Sequence, residues 1–174
     1  MSERSPAEAA VYETLDALQI RWTRYEHPPV FTVEEAQEHW AAIPATHCKN
    51  LLLRNKKGST HYLVIVESSK RVDIGSLTRT LNEDRLSFAS AERLAATLGL
   101  TPGSVSPFGL IHPGAKDVRV AIDADLRAAR DVAFHPNVNT ATIVLAWGDF
   151  ERFLRERGNI VRYVRVQDSG TPGP

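Results

Sequence analysis

The sequence predicts a mixed α/β fold in which helices lie outside one central, barrel-like sheet. Short strand and helix patterns alternate irregularly along the chain without an internal repeat, which favours a mixed sheet that closes on itself. Residues 118–122 place valine or isoleucine at every second position, as in a half-buried strand. The 174 residues are 43% hydrophobic and 24% charged, which is ordinary for one globular domain. We expect residues 1–166 to form this domain and the Gly/Pro-rich tail at 167–174 to be disordered.

The first part of the chain predicts a helix, a strand and a second helix. Residues 6–19 place apolar side chains at i, i+4 and i+7 after a proline in the first turn, which indicates a helix. Residues 21–26 alternate as a strand, which a Pro-Pro pair ends. Thr32 and Glu35 form a capping-box pattern, so we expect a short helix over 33–40.

The middle of the chain predicts a hairpin and two further helices. The hairpin joins strands at 48–54 and 62–66 through a polar turn. A helix follows over 73–81, with Asp73 near its N-cap, and a short strand lies at 85–88. The next helix opens at residues 90–93 and stops at a glycine, position 99. The later elements are the strand at 118–122, strands at 131–134 and 140–146, a helix at 149–157 and a final strand at 160–166.

Charge and cysteine content exclude several classes of protein. Lys plus Arg equals Asp plus Glu, 21 each, so the chain has no global basic field for nucleic acid. A single cysteine, Cys48, rules out an intramolecular disulfide and fits a reducing, cytoplasmic compartment. The N-terminus lacks an apolar signal core, and no apolar run is long enough for a membrane helix.

The common catalytic motifs are absent from the sequence. The six histidines are scattered and do not form a zinc-binding pattern with the one cysteine. There is also no G-x-S-x-G elbow, no G-x-G-x-x-G fingerprint and no Walker loop. We therefore expect no metal and no organic cofactor.

Residues 102–109 are half glycine and proline, so we expect neither a helix nor a central strand to run through them. Pro102-Gly103 suits the central positions of a type II turn, and Pro107 drives Ser106 toward an extended conformation. Such a stiff loop, which we call the 102–109 loop, offers backbone groups and two hydroxyls to a small ligand. The same residues would equally make a plain structural turn.

Two polar stretches stand next to apolar strands. Lys49-Asn50 opens a strand of three leucines, where the lysine is either a solvated strand end or a cation aimed into a cleft. Because side chains alternate along a strand, Lys49 and Asn50 should point to opposite faces. Residues 135–140, which begin with His135, either make a simple turn or place hydrogen-bonding groups at the rim of a pocket.

Five segments taken together resemble the YbaK/ProRS-associated superfamily, and within it the free-standing alanyl-tRNA(Pro) deacylases. The segments are 26–32 (EHPPVFT), 49–51 (KNL), 86–90 (LSFAS), 102–110 (PGSVSPFGL) and 134–142 (FHPNVNTAT). Each is weak alone, but all five in order are highly specific, and the match runs from about residue 25 to 166. One departure is His112-Pro113, where the family has Asn-Asp, which puts the exit of the loop in question.

The resemblance implies the barrel-like α/β fold of the superfamily and hydrolysis of the ester between alanine and the terminal adenosine of tRNA(Pro). It implies that Lys49 holds the 3′ end through phosphate, that Asn50 orients the amino acid and water, and that His135 shapes or hydrogen-bonds the pocket. Water would attack with help from the ribose hydroxyl of the substrate. The substrate-binding residues implied are Gly103, Ser104, Val105, Ser106, Pro107, Phe108, Asn137 and Asn139.

The partners implied are the acceptor end of mischarged tRNA and, in addition, prolyl-tRNA synthetase. Two rival functions remain open from the sequence. One is a related deacylase that removes another amino acid, such as cysteine, and the other is a non-catalytic binding module that keeps the fold. The presence of both Lys49 and the 103–107 segment speaks against the module.

Overall fold

Within residues 3–167, which the computed structural model describes, eight strands form one mixed sheet. The order is β1-β7-β6-β2-β3-β5-β8, with the short β4 paired to β2. Parallel pairs join β2 to β6, β3 to β5 and β5 to β8, and the other pairs are antiparallel. The strands are β1 (Thr23–Glu26), β2 (Thr46–Arg54), β3 (His61–Glu67), β4 (Ser87–Phe88), β5 (Arg119–Asp123), β6 (Asp131–Phe134), β7 (Ala141–Ala146) and β8 (Val161–Val164).

The predicted mixed sheet with outer helices is confirmed, but its closure into a barrel is wrong. Within the described residues the sheet ends at β1 and β8, which do not pair with each other. The physical reason lies at β2, because β6 reaches it through only two register pairs, Thr46 with Val132 and His47 with Ala133. The two halves of the sheet therefore meet at β2, and the sheet stays open between β1 and β8.

All five predicted helices are present. They are α1 (Pro6–Ala17), α2 (Val33–Trp40), α3 (Ile74–Thr80), α4 (Ala91–Leu98) and α5 (Trp147–Arg157). The N-cap side chains of Ser5, Thr32, Asp73 and Ser90 each accept a hydrogen bond from the backbone N–H three residues on. Gly99 ends α4 and Gly158 ends α5, both in left-handed conformations that favour glycine.

Two apolar cores cover the two faces of the sheet. The larger one packs α1, α4 and α5 on one face around fully buried Phe108 and Phe153. The smaller one packs α3 on the other face, and it includes the buried Leu77 of α3 and Leu53 of β2. No helix in the described part of the chain is long and apolar enough to cross a membrane. The predicted disordered tail lies outside the described residues, apart from Gln167.

Candidate active site

A cavity of about 220 Å³ lies along one edge of β2. We call it the β2 cavity. It collects residues from β2, from α2 and the segment before it, from the 102–109 loop and from the loop after β6. Its lining consists of Val30, Phe31, Thr32, Val33, Ala36, Trp40, Cys48, Lys49, Asn50, Leu51, Gly103, Val105 and His135.

The β2 cavity exists because two strands diverge along the same edge of β2. β6 pairs with β2 at residues 46–47, and β4 pairs with it at Leu53 and Arg54. Residues 48–51 lie between these two pairings and line the cavity. β3 pairs with the opposite edge over 48–54, so that edge is hydrogen-bonded throughout. The fold thus holds Lys49 and Asn50 on a rigid strand while leaving one edge open.

Lys49 is half-buried in this opening, and its ammonium donates a hydrogen bond to the backbone carbonyl of Lys70. The segment that carries this carbonyl is itself held in place. The Lys70 ammonium lies 2.8 Å from the buried carboxylate of Asp123 and 2.6 Å from Asp125. Burial by itself would lower the pKa of Lys70, but hydrogen bonds and charge from these two carboxylates outweigh it and raise that pKa. A second lysine therefore fixes the position of Lys49 through the backbone.

Asn50 joins the strand to the 102–109 loop. Its Nδ2 lies 3.5 Å from the carbonyl oxygen of Val105, to which it donates. Its Oδ1 is buried and has no hydrogen-bond partner among the described residues. A buried acceptor without a partner is uncommon in a folded protein and calls for a donor from a ligand or water. Lys49 and Asn50 leave β2 on opposite faces, yet both border the β2 cavity.

The 102–109 loop begins with the predicted type II turn. The Ser104 N–H donates to the carbonyl of Thr101 at 3.1 Å, and Gly103 has φ 90°. Ser106 is extended, as predicted, at φ −150° and ψ 150°. No helix runs through the whole loop, as expected, but a 3-10 helix begins within it and spans Pro107–Ile111. Proline suits its first position, where no N–H is needed.

Only part of the loop faces the cavity. Gly103 and Val105 line it, whereas Ser104, Ser106 and Pro107 are buried away from it. The Ser106 hydroxyl accepts from the backbone N–H of Phe108 at 3.1 Å and so caps the 3-10 helix.

Phe108 was predicted to bind substrate, but its fully buried ring lies in the core. It packs edge-on against Phe153, with ring centroids 5.2 Å apart. Ser106 and Phe108 therefore stiffen the wall from behind.

His135 borders the cavity opposite the loop. Its Nδ1 lies 3.0 Å from the carbonyl oxygen of Ala141, so Nδ1 carries the proton and Nε2 is left as an acceptor. Burial lowers the pKa of His135, aided by the nearby His27 and His47, so the ring is neutral at pH 7. The residue can accept a hydrogen bond at the rim, and it is not a cation there.

Asn137 and Asn139 do not line the cavity but build the turn behind it. Asn139 Nδ2 donates to the carbonyl of Val30 at 3.2 Å, and the Val30 N–H donates back to the Asn139 carbonyl at 3.3 Å. Asn137 adopts φ 62°, which asparagine tolerates better than most residues, and its buried Oδ1 lacks a partner within the described chain. These asparagines position the segment before α2.

The departure at His112-Pro113 leaves the exit of the loop ordered. The His112 N–H donates to the carbonyl of Gly109 at 3.0 Å, which closes the first 3-10 helix. The His112 Nδ1 then accepts from the Gly114 N–H at 3.1 Å and caps the next, Pro113–Ala115. His112 and Pro113 therefore form a hydrogen-bonded exit in this chain.

Sequence reasoning assigned no role to one whole wall of the cavity. That wall includes Phe31 and Trp40, and it comes from α2 and the segment before it. The Trp40 ring stacks on His47 with centroids 4.7 Å apart. Residues 26–32 were noted only for their resemblance, although an apolar residue directly before a capping box was a usable signal.

A wider groove of about 920 Å³ lies between α1 and β7. It holds none of the predicted site residues, so we place the site in the smaller cavity, where Lys49, Asn50 and His135 converge. Nowhere in residues 3–167 do three His, Cys, Asp or Glu side chains group closely enough to hold a metal ion.

Known proteins are similar to this chain in sequence. A model of the aminoacyl-tRNA editing domain family matches residues 27–153. The prolyl-tRNA editing protein ProX of Acetoanaerobium sticklandii is 39% identical over 160 residues, covering 92% of this chain and 98% of that protein. The prolyl-tRNA synthetase associated domain-containing protein 1 of Bos taurus is 34% identical over 155 residues, covering 87% and 90%.

The fold is also similar to that of a solved structure. A candidate trans-editing enzyme for prolyl tRNA synthetase superposes with a TM-score of 0.71 at 22% identity, over 95% of this chain and 100% of that one. At that identity the likeness concerns the fold alone. The sequence matches also show the family to which the chain belongs. The family model spans most of the chain and includes every residue that lines the β2 cavity. The chain belongs to the aminoacyl-tRNA editing domain family.

Proposed function

We propose that this protein hydrolyses the ester bond of alanine mischarged onto tRNA(Pro), acting in trans. Membership of the editing-domain family makes it an aminoacyl-tRNA deacylase, and its relatives are named for prolyl-tRNA editing and for prolyl-tRNA synthetase. Alanine, tRNA(Pro), the synthetase as a partner and the cytoplasm as the compartment are our proposals. The observation that carries the proposed reaction is that Lys49, Asn50, Gly103, Val105 and His135 line one small cavity.

The β2 cavity has the size of a site for an amino acid, and its wall provides the means to select alanine. Its volume of about 220 Å³ lies below the roughly 300–1,000 Å³ of sites for drug-sized ligands. A synthetase pocket built for proline rejects the smaller alanine weakly, because each missing methylene is worth only about 1–3 kcal/mol. A second site with a stiff wall can admit alanine and exclude proline. Gly103 and Val105 provide such a wall, and the buried residues behind them keep it stiff.

The polar groups of the cavity match the parts of the substrate. The Lys49 ammonium would attract the phosphate at the 3′ end of the tRNA, since lysine stays charged at neutral pH. The unsatisfied Oδ1 of Asn50 would accept a hydrogen bond from the α-ammonium of alanine. The neutral His135 would accept one from water or from a ribose hydroxyl.

The hydrolysis needs no enzyme nucleophile because an aminoacyl ester is already activated. A water oxygen attacks the ester carbonyl carbon and the bond to the ribose oxygen breaks. One proton of the water passes to that ribose oxygen, with help from the neighbouring ribose hydroxyl. The other proton is released to solvent as alanine leaves in its carboxylate form. Cys48 also borders the cavity, but burial raises the pKa of its thiol far above the usual range, so it is not a thiolate nucleophile.

A panel of mischarged tRNAs tests the proposal. Purified protein is mixed with tRNA(Pro) carrying alanine, serine or cysteine, and with alanine on tRNA(Ala), and release of each amino acid is followed. We expect the fastest release from Ala-tRNA(Pro). Faster release of cysteine would identify a different deacylase, and no release from any tRNA would favour a non-catalytic binding module.

A further inference from the structure

Phe31 is an exposed aromatic side chain at the mouth of the β2 cavity. Its exposed fraction is 69%, and Phe88 and Ile160 are the other large apolar side chains that are mostly exposed among residues 3–167. Phe31 lines the cavity, whereas Phe88 lies on the edge strand β4 and does not. Single exposed apolar residues are normal on protein surfaces, so exposure alone assigns no role to Phe31.

The backbone around Phe31 is held on both sides, so the fold fixes the position from which the ring projects. Two prolines precede it, and Val30 is fixed by its reciprocal hydrogen bonds with Asn139. The Phe31 N–H donates to the Glu35 carboxylate at 2.8 Å, which ties the residue to the first turn of α2. A ring presented on a rigid backbone loses little conformational entropy when it binds a ligand.

The ring also lies next to the turn that walls the cavity. A Cβ placed on Gly103 would come within 3.4 Å of Phe31 Cδ1, so the ring borders the turn. Lys49 lines the same cavity and supplies a cation. The mouth of the cavity thus combines a planar apolar surface with a positive charge, which is the usual composition of a site for single-stranded nucleic acid.

We propose that Phe31 stacks on the base of the terminal adenosine whose ribose carries the amino acid. This inference rests on the proposed function, because that function places an aminoacylated nucleoside at the cavity. When the acyl group fills the β2 cavity, the ribose and its base remain at the mouth, where Phe31 lies. Proteins bind unpaired bases by stacking them on aromatic side chains. With a net charge of zero, the chain needs such local contacts to hold RNA.

A binding experiment tests this without requiring hydrolysis. The probe is a CCA trinucleotide ending in 3′-deoxy-3′-alanylamido-adenosine, whose amide resists cleavage, and its partner probe lacks the terminal base. Dissociation constants are measured for wild type, Phe31→Leu, Phe31→Trp and the matched surface control Phe88→Leu.

We expect Phe31→Leu to weaken binding of the adenine probe about tenfold, the size typical of one base–aromatic stack, and Phe31→Trp to retain it. Phe88→Leu should bind like wild type, and the abasic probe should bind equally to wild type and Phe31→Leu. An unchanged dissociation constant for the adenine probe in Phe31→Leu would overturn the inference, as would an equal loss for both probes. If stacking is found while the tRNA panel shows no hydrolysis, the proposed function fails and this inference stands.

Discussion

The side-chain amide of Asn50 donates to the backbone carbonyl of Val105 across 3.5 Å, joining residues that are 55 positions apart in the sequence. This contact connects the open edge of β2 to the 102–109 loop and sets the distance between the two walls of the cavity. The other amide atom, Oδ1, stays unsatisfied within the described chain. One residue thus fixes the width of the site and leaves an acceptor for the substrate.

Replacing Lys49 tests the electrostatic part of the site. Lys49→Ala should lower kcat/KM for Ala-tRNA(Pro) by roughly 10–100-fold, the worth of one charge-assisted hydrogen bond. The loss should lie mainly in KM, so high substrate concentration should mask part of it. Steady-state kinetics measure this, with circular dichroism to check the fold. Lys57→Ala, an exposed lysine in the β2–β3 turn, is the control and should behave like wild type. Wild-type kinetics from a folded Lys49→Ala protein would reduce Lys49 to a solvated strand end.

Replacing Gly103 separates the shape of the cavity from backbone strain. Gly103 has φ 90°, and Gly158 has φ 80° with nothing within 4 Å of an added Cβ. Alanine at either position should therefore cost about 1–2 kcal/mol of stability. Only Gly103→Ala adds a methyl beside Phe31 at the cavity, so only it should also slow alanine release. Equal deacylation rates in the two variants, measured well below their melting temperatures, would show that the turn plays no part in the site.

Val105 tests whether the wall selects by size. Its side chain borders the cavity and packs against the larger core. Val105→Ala should enlarge the cavity and raise the release of serine and cysteine relative to alanine by roughly tenfold, because two methyl groups of contact are lost. The ratios come from release assays on one tRNA carrying each amino acid. Unchanged ratios in a variant of reduced stability would indicate that Val105 serves only packing.

The burial of His135 predicts how stability depends on pH. An unfolded histidine titrates near 6.5, and burial lowers the pKa of His135 in the folded protein, so the unfolded chain binds more protons below that pH. The free energy of unfolding should therefore be highest above about pH 6.5 and fall as the pH drops below it. Burial also lowers the pKa of His47 and of His61, which adds to the effect. Hydrogen bonds lower the pKa values of Asp84 and Asp125, so these carboxylates act only well below the histidine range.

Urea unfolding at pH values of about 7.5 and about 5.5 measures this dependence around the histidine pKa. His135→Gln keeps a donor for the carbonyl of Ala141 and cannot titrate, so its stability should change less between the two pH values. The same pH dependence in the variant and in wild type would show that His135 is not responsible.

Local sequence signals predicted much of this fold. The caps at Thr32, Asp73 and Ser90 and the stop at Gly99 define helix ends within a few residues, because each acts on its own backbone. The open edge of β2 could not be predicted in this way. It depends on where β6 and β4 pair, and those pairings link residues far apart in sequence. The closed barrel failed for the same reason.

The residues that line the site were predicted better than those that support it. Motif resemblance found Lys49, Asn50, Gly103, Val105 and His135, all of which line the cavity. It could not tell lining residues from supporting ones, and so it grouped Phe108 with them although its ring fills the core. The contact between the Lys49 ammonium and the carbonyl of Lys70 could not be predicted, because no side-chain pattern marks a backbone acceptor.

The central claim is that the β2 cavity admits alanine and excludes proline. The most direct test is the ratio of kcat/KM for Ala-tRNA(Pro) and Pro-tRNA(Pro), measured on the same tRNA with wild-type protein. A stiff wall at Gly103 and Val105 that excludes the larger proline ring predicts a ratio of roughly one hundred or more in favour of alanine. Equal hydrolysis of the two substrates would contradict the size-selection account.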